Sequence, residues 1–346
     1  MSFTKLDPTD FVVSSDSVTA PAWSTNAPTL TSFFTLAGNA TGSYYIDVYQ
    51  TASTDSAAAV QFSIAYGHIY GTGSAPLNSL VPQNTPSRIT YGQYRNLIYG
   101  DAESAVNFGT GNTSSLDLIA IPIDRNRYKG NLFPGTFNLI LKNGSDSLRL
   151  TDNSNDVSTV TYLDCGRAFD IISGSNGTAA SLTVTPQGNP TKGYTNSGSY
   201  GLFLPDVGLI ILNPKALAAP VLSGGLNVTW SSLTTVNGLN NAKMFSLISG
   251  SGASSVGFTL NSQETISSDY VFVRIKNGDY NYTSNPSFIS GSGNLIYSNF
   301  INSPQTYMTT VGMYNNNNEL LAVAKLSKPL VKDFTKEALV RVKLDW

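Results

Sequence analysis

Charged side chains are scarce in this chain: Lys, Arg, Asp and Glu make up 12% of its 346 residues, against about 25% in an ordinary soluble domain. Cysteine and histidine each occur once, as Cys165 and His68. A lone cysteine excludes an internal disulfide framework, so the chain reads as folded in a reducing compartment or as indifferent to redox. One thiol and one imidazole also exclude structural zinc sites built from four such ligands. No stretch approaches the roughly 18 apolar residues of a membrane-spanning helix. The opening Met1-Ser2-Phe3-Thr4-Lys5-Leu6-Asp7-Pro8 lacks the apolar segment of a secretory signal, so neither a membrane span nor export is expected. A net charge of −2 and a pI near 5.4 provide no broad basic field. No nucleic-acid partner is expected from such a surface.

Neutral polarity takes the place of charge. The chain holds 43 Ser, 34 Thr and 32 Asn beside 30 Gly and 18 Tyr. Hydroxyls, amides and phenols can bond to water, and they can press against a protein without stranding unpaired charges. Interface cores show the same loss of charge and gain of Tyr. A hydrophobic share of 41% is enough for a real core. These facts imply a β-rich protein that lies against neighbours.

Period-two patterning supports that class. Tyr45, Asp47 and Tyr49 alternate with Tyr44, Ile46 and Val48, and Phe62, Ile64, Tyr66, His68 and Tyr70 share one strand face. Phe137, Leu139 and Leu141 precede Asn143-Gly144, and Leu148 and Leu150 follow it, which predicts a hairpin with Asn-Gly central in a type I′ turn. A second hairpin is expected from Tyr307 to Leu326 around Asn315–Asn318. Val207–Leu212 reads as a strand buried on both faces. Short helices are expected over Tyr91–Tyr99 and over Asn240–Gly250, the latter capped by Gly250. The last segment alternates Val340, Val342, Leu344 and Trp346 with Arg341, Lys343 and Asp345. An aromatic held in strand register there is expected to pack, within the subunit or on the next.

Few residues suggest chemistry. His68 lacks a nucleophile elbow of the G-x-S-x-G kind and reads as a half-buried sheet residue. Cys165, beside Arg167, could have a lowered pKa but reads as a small buried side chain. Asp152, Ser154 and Asp156 have the odd-position spacing that opens a calcium loop, but Val157 and Leu163 stand where that loop needs Gly and Glu. The four glutamates, Glu103, Glu264, Glu319 and Glu337, are few for a glycosidase pair and each has a surface reading. From Ala322 onward the net charge is +3, read as the solvated face of two strands and a connector.

Several segments carry a resemblance. Thr306-Tyr307-Met308-Thr309-Thr310-Val311-Gly312-Met313-Tyr314-Asn315, with Glu319 to Leu326, resembles a hairpin of tail and baseplate-associated proteins of tailed bacteriophages. Tyr91-Gly92-Gln93-Tyr94-Arg95, Asp124 to Lys129 with Leu132 to Thr136, and Lys332 to Asp345 are similar to virion structural proteins of contractile-tailed marine and cyanobacterial phages. The likeness spans the chain and implies a structural role in the particle, with no activity or binding residues to carry over.

The expectations are therefore these. The fold is all-β, β-sandwich-like, in one or two β domains with minor short helices. Residues 1–40 form an extended docking arm, 41–218 a β domain, and 219–346 a second β region. The chain is a non-enzymatic virion subunit assembled in the bacterial host cytoplasm, with tail or baseplate ranked ahead of capsid decoration or neck. Its partners are copies of itself and other virion proteins, and Phe33, Phe34, Tyr314 and Trp346 are the expected assembly residues. No catalytic, cofactor or metal residue is assigned. The alternative is a carbohydrate-binding β-sandwich for host attachment, in which Trp23 or Trp230 would stack on a host glycan.

Overall fold

The computed structural model describes residues 4–36, 44–78, 80–109, 114–180, 193–250, 257–283 and 285–345. Across them the chain is mostly β, with large curled antiparallel sheets and four α-helices of at most 14 residues. It divides into a larger unit, residues 18–264, and a smaller one, residues 1–17 and 265–346. The boundary expected between 218 and 219 lies inside the larger unit, and Ala216, Leu217 and Leu226 around it belong to that unit's core. Nor do residues 4–36, the described part of the expected arm, stand apart as one. Phe11–Pro21 is a sheet strand, while Trp23 and Leu30 are 1% and 2% exposed in the larger unit's core. Burying a Trp outweighs what the prolines around it suggest about extended chain.

The larger unit is organised by one sheet. Its strands run in the order Thr29–Leu30, Phe258–Thr259, Asn138–Asn143, Asp146–Asp152, Gly166–Ser175, Gly201–Leu204, Leu209–Leu212, Asp117–Pro122, Val60–His68, Ile46–Tyr49. The central strand Leu209–Leu212 is buried at every position. Ile210 and Leu212 join one apolar cluster, and Leu209 and Ile211 join a second, as alternation across the pleat requires. The helix Leu239–Ser249 covers the first face through Met244, Leu247 and Ile248, and the helix Pro86–Tyr99 covers the second through Tyr91 and Ile98. Gly67 permits that second approach, since a Cβ there would come within 2.7 Å of Tyr91 N.

Rings close the curl. Phe258 lies near one end of the strand order and Phe62 near the other, yet their centroids are 5.4 Å apart. Phe258 also meets Trp23 at 4.8 Å and Phe137 at 5.8 Å, both edge to face. Only a sheet folded over on itself brings these residues together, and the twist of strands supplies that bending.

The first hairpin forms, but its turn is displaced by one residue. Asn143 pairs with Asp146, so the two loop residues are Gly144 and Ser145. Gly144 alone has positive φ, at 63°. Asn143 stays in the strand because its Nδ2 donates to Leu226 O at 2.8 Å. The helix expected from Tyr91 starts earlier, at Pro86, because Thr85 caps it by accepting from Arg88 N and proline suits the first turn.

In the smaller unit, one sheet runs in the order Phe11–Pro21, Asn261–Ile275, Ala338–Asp345. The hairpin Thr306–Tyr314 with Leu320–Lys332 packs on it. Val271, Val340 and Val342 form the buried centre, against Val311, Met313, Ala324 and Leu326 of the hairpin. Lys332 is buried, with Nζ donating to Asn277 O and Asn281 Oδ1 at 2.9 and 2.8 Å.

Substituting Phe258→Ala should cost about 3–5 kcal/mol, because it leaves a cavity where three aromatic contacts converge. Denaturant unfolding of the full chain measures this. A loss below about 1 kcal/mol would contradict closure of the sheet through that ring.

Candidate functional site

Several of the residues with chemical potential are tied into local structure. His68 Nδ1 accepts from Tyr70 N at 3.1 Å and lies 2.7 Å from Thr72 Oγ1, which fixes the turn after its strand. Burial lowers its pKa, and the facing Asp117 partly opposes that. Asp117 Oδ1 accepts from Ser115 Oγ at 2.7 Å and Oδ2 accepts from Tyr66 at 3.3 Å. Burial raises the Asp117 carboxyl, and the hydrogen bond from Ser115 opposes it. Each Asp117 oxygen thus holds a hydroxyl, and its effect on the imidazole is through charge.

Cys165 is half-buried, and burial pushes its thiol up, with Asp164 and Asp206 adding to the effect. The positive neighbour that would favour a thiolate is engaged elsewhere. Arg167 clamps Asp206 through Nε and Nη2, at 3.0 and 2.6 Å. The acidic turn after the first hairpin commits its carboxylates to backbone amides. Asp152 Oδ2 accepts from Gly135 N and Ser154 N, and Asp156 Oδ2 accepts from Ala179 N. Among the described residues no group of three or more His, Cys, Asp or Glu is gathered where it could hold a metal. Glu264 pairs with Lys129 at 3.1 Å, and Glu103, Glu319 and Glu337 are exposed.

The surface offers more than the interior. In the hairpin of the smaller unit, strand alternation turns Val311, Met313, Ala324 and Leu326 inward, and their neighbours face away. The outward set pairs Tyr314 with Leu320, Gly312 with Val323, and Thr310 with Lys325. A register shift between Met313 and Tyr314 leaves Leu321 bulged beside them. Leu320, Leu321, Val323 and Tyr314 are 54%, 68%, 57% and 41% exposed. The Tyr314 ring leans over Gly312, where a Cβ would come within 3.0 Å of it, so the patch is continuous.

The four expected assembly residues fall in different settings. Phe33 is half-buried against the core, its ring 6.4 Å from Phe62. Phe34 is 42% exposed, with its backbone paired to Tyr49. Tyr314 is in the outward patch, and Trp346 lies outside the described residues. Leu320, Leu321 and Val323 were not among the expected assembly residues. They lie in a run of apolar letters within the expected hairpin, and only the pairing shows which face is covered. Trp23 is buried, and Trp230 donates to Pro214 O at 2.9 Å while stacking on Tyr66, so neither presents a free ring to a sugar. No helix among the described residues is long and apolar enough to cross a membrane.

Comparison of the chain with protein-family models, with curated proteins and with solved structures finds no match to any of them.

Asp170 gives a pH test of the interior. Burial raises its carboxyl above the ordinary 3.8, against the opposing hydrogen bond from Tyr194, whose hydroxyl donates to Oδ2 at 2.9 Å. The folded state therefore holds this proton more tightly than the unfolded chain. Stability falls as pH rises from the unfolded pKa through the folded one, and then levels. Asp170→Asn removes this share of the fall. Urea unfolding between acid and neutral pH should show the variant gaining on the wild type as pH rises. Parallel curves would refute the raised carboxyl.

Proposed function

We propose that this chain is a non-enzymatic structural subunit of a tailed-bacteriophage virion, with tail or baseplate ranked ahead of capsid decoration or neck. The observation that carries the reading is the uncovered apolar face of the Thr306–Lys332 hairpin. A two-stranded ribbon is marginal in water by itself, and this one has only a small valine cluster beneath it. Contiguous exposed apolar surface of that kind marks a contact with another macromolecule. The resemblance of the same hairpin to tail and baseplate proteins supplies the biological setting. Asp117 holds two hydroxyls, Asp152 Oδ2 accepts from two backbone amides, and burial disfavours a thiolate at Cys165, which is compatible with a structural role.

A second reading, carbohydrate binding for host attachment, is favoured by a separate feature of the larger unit. A cleft of about 410 Å³ is lined by Ser147, Arg149, Ser173, Ser175, Thr178 and Tyr200, among others. It opens where Asp146–Asp152 stops pairing with Gly166–Ser175, beyond Leu150 and Ser173. Hydroxyls around an Arg suit a polar sugar.

Purified particles provide the test. Peptides of this chain should be recovered from intact virions in amounts comparable to other structural proteins, and the pure chain should release no reducing sugar from host polysaccharide. Absence from particles would overturn the structural reading. Binding on a glycan array that is lost in Arg149→Ala would favour the second.

A further inference from the structure

We infer that the outward face of the Thr306–Lys332 hairpin is a homotypic surface, on which a second copy of this chain packs antiparallel about a two-fold axis. The inference rests on the reading of the chain as an assembly subunit and names the partner of one surface. Three observations point to a second copy.

The first is area. Leu320, Leu321, Val323 and Tyr314 leave uncovered on the order of 400 Å² of apolar surface, taking about 150–250 Å² for each large side chain. Stable interfaces are about 60–65% apolar. The patch therefore implies a contact of about 1,300 Å² in total, inside the range of about 1,200–2,000 Å² for stable pairs.

The second is net charge. The smaller unit carries nine basic and nine acidic side chains, so two copies meet without net repulsion. A neutral surface promotes association.

The third is the order of charges along the ribbon. Glu319 stands at the turn end of the patch, exposed, with Oε2 accepting from Asn315 Nδ2 at 2.6 Å. Lys325 stands at the other end, exposed, opposite Thr310. A two-fold axis through the patch reverses one ribbon against the other. Glu319 of each copy then meets Lys325 of its mate, with Leu321 and Val323 between. An isologous contact requires this kind of self-complementarity, and a partner of unrelated sequence would not.

Sedimentation velocity of the full chain over a micromolar concentration series tests the inference. A reversible dimer is expected. Leu321→Asp and Val323→Asp, at exposed positions that leave the core intact, should each raise the dissociation constant about 100-fold or more. Circular dichroism and thermal unfolding check that both variants fold. Glu319→Lys and Lys325→Glu should each weaken self-association about 5- to 10-fold, through two like-charge contacts per dimer. An equimolar mixture of those two variants should recover the wild-type dimer, because the mixed pair restores both opposite-charge contacts.

A chain that stays monomeric throughout overturns the inference, as does a dimer unaffected by the aspartate variants. Failure of the mixture to recover overturns the antiparallel arrangement. If the monomeric chain is still recovered in purified particles, the subunit reading stands and only this surface is lost. If instead the chain dimerises through this face but is absent from particles, the homotypic surface stands and the virion reading is lost.

Discussion

A sheet with apolar side chains on both faces has to be covered twice, and that requirement organises the larger unit. Leu209–Leu212 is a four-residue strand with no exposed position, so it cannot lie at an edge or face water. The helix Leu239–Ser249 and the folded-over far end of the sheet cover one side, and the helix Pro86–Tyr99 covers the other. The curl that brings Phe258 to Phe62 follows from this need. Without it the first cluster would lose its Trp23 and Phe258 side.

The same unit gives a second meaning to the scarcity of charge. A curled sheet with irregular connections leaves backbone groups inside that no ladder satisfies, and each would be costly if left unpaired. Neutral amides fill those gaps. Asn213 donates to Ser197 O and Ser199 O, and Asn241 accepts from Tyr66 N while donating to Tyr44 O. Gln61 accepts from Ser24 N and donates to Ala59 O. Of the buried polar residues described, all but Asp10, Arg95, Asp152 and Lys332 are neutral. Part of the Asn, Ser and Thr excess thus serves the interior, where a charge would cost several kcal/mol and an amide does not.

The sequence was most legible where one physical signal dominated. Alternation placed the hairpin around Asn315–Asn318, the continuous apolar run Val207–Leu212 placed a buried strand that begins two residues later, at Leu209, and Gly250 marked a helix end with its positive φ of 62°. It was less legible where two signals competed. Asn143-Gly144 suggested one turn register, but a side-chain bond from Asn143 to Leu226 O, 83 residues away, selects the next. Thr85-Pro86 is a good helix start that the Tyr stripe beginning at Tyr91 obscured. Phe33 and Phe34 are adjacent and chemically alike, and only the fold decides which of them faces Phe62. For the same reason the outward patch could not be read in advance. The letters Leu320-Leu321-Ala322-Val323-Ala324 show an apolar run, and the bulge at Leu321 determines which of them face outward.

The two units differ in how their apolar residues are used. The larger unit encloses Trp23, Phe62, Phe137, Phe203 and Phe258, although it also leaves scattered side chains such as Leu80 and Leu222 exposed. The smaller unit hides little more than valines and leaves larger side chains in water. Burial is worth about 25 cal/mol for each Å² of apolar surface, so that second arrangement forgoes stabilisation which a neighbour could supply. Edge strands with exposed apolar faces are also prone to unintended pairing, and proteins ordinarily blunt them with charge. Lys325 and Lys328 do so at one end of the ribbon, while the stretch from Leu320 to Ala324 has no charge at all. An unprotected face flanked by protected ones is what a surface reserved for one partner requires. In the dimer inferred above, the ends would repel wrong registers and the middle would contribute the affinity.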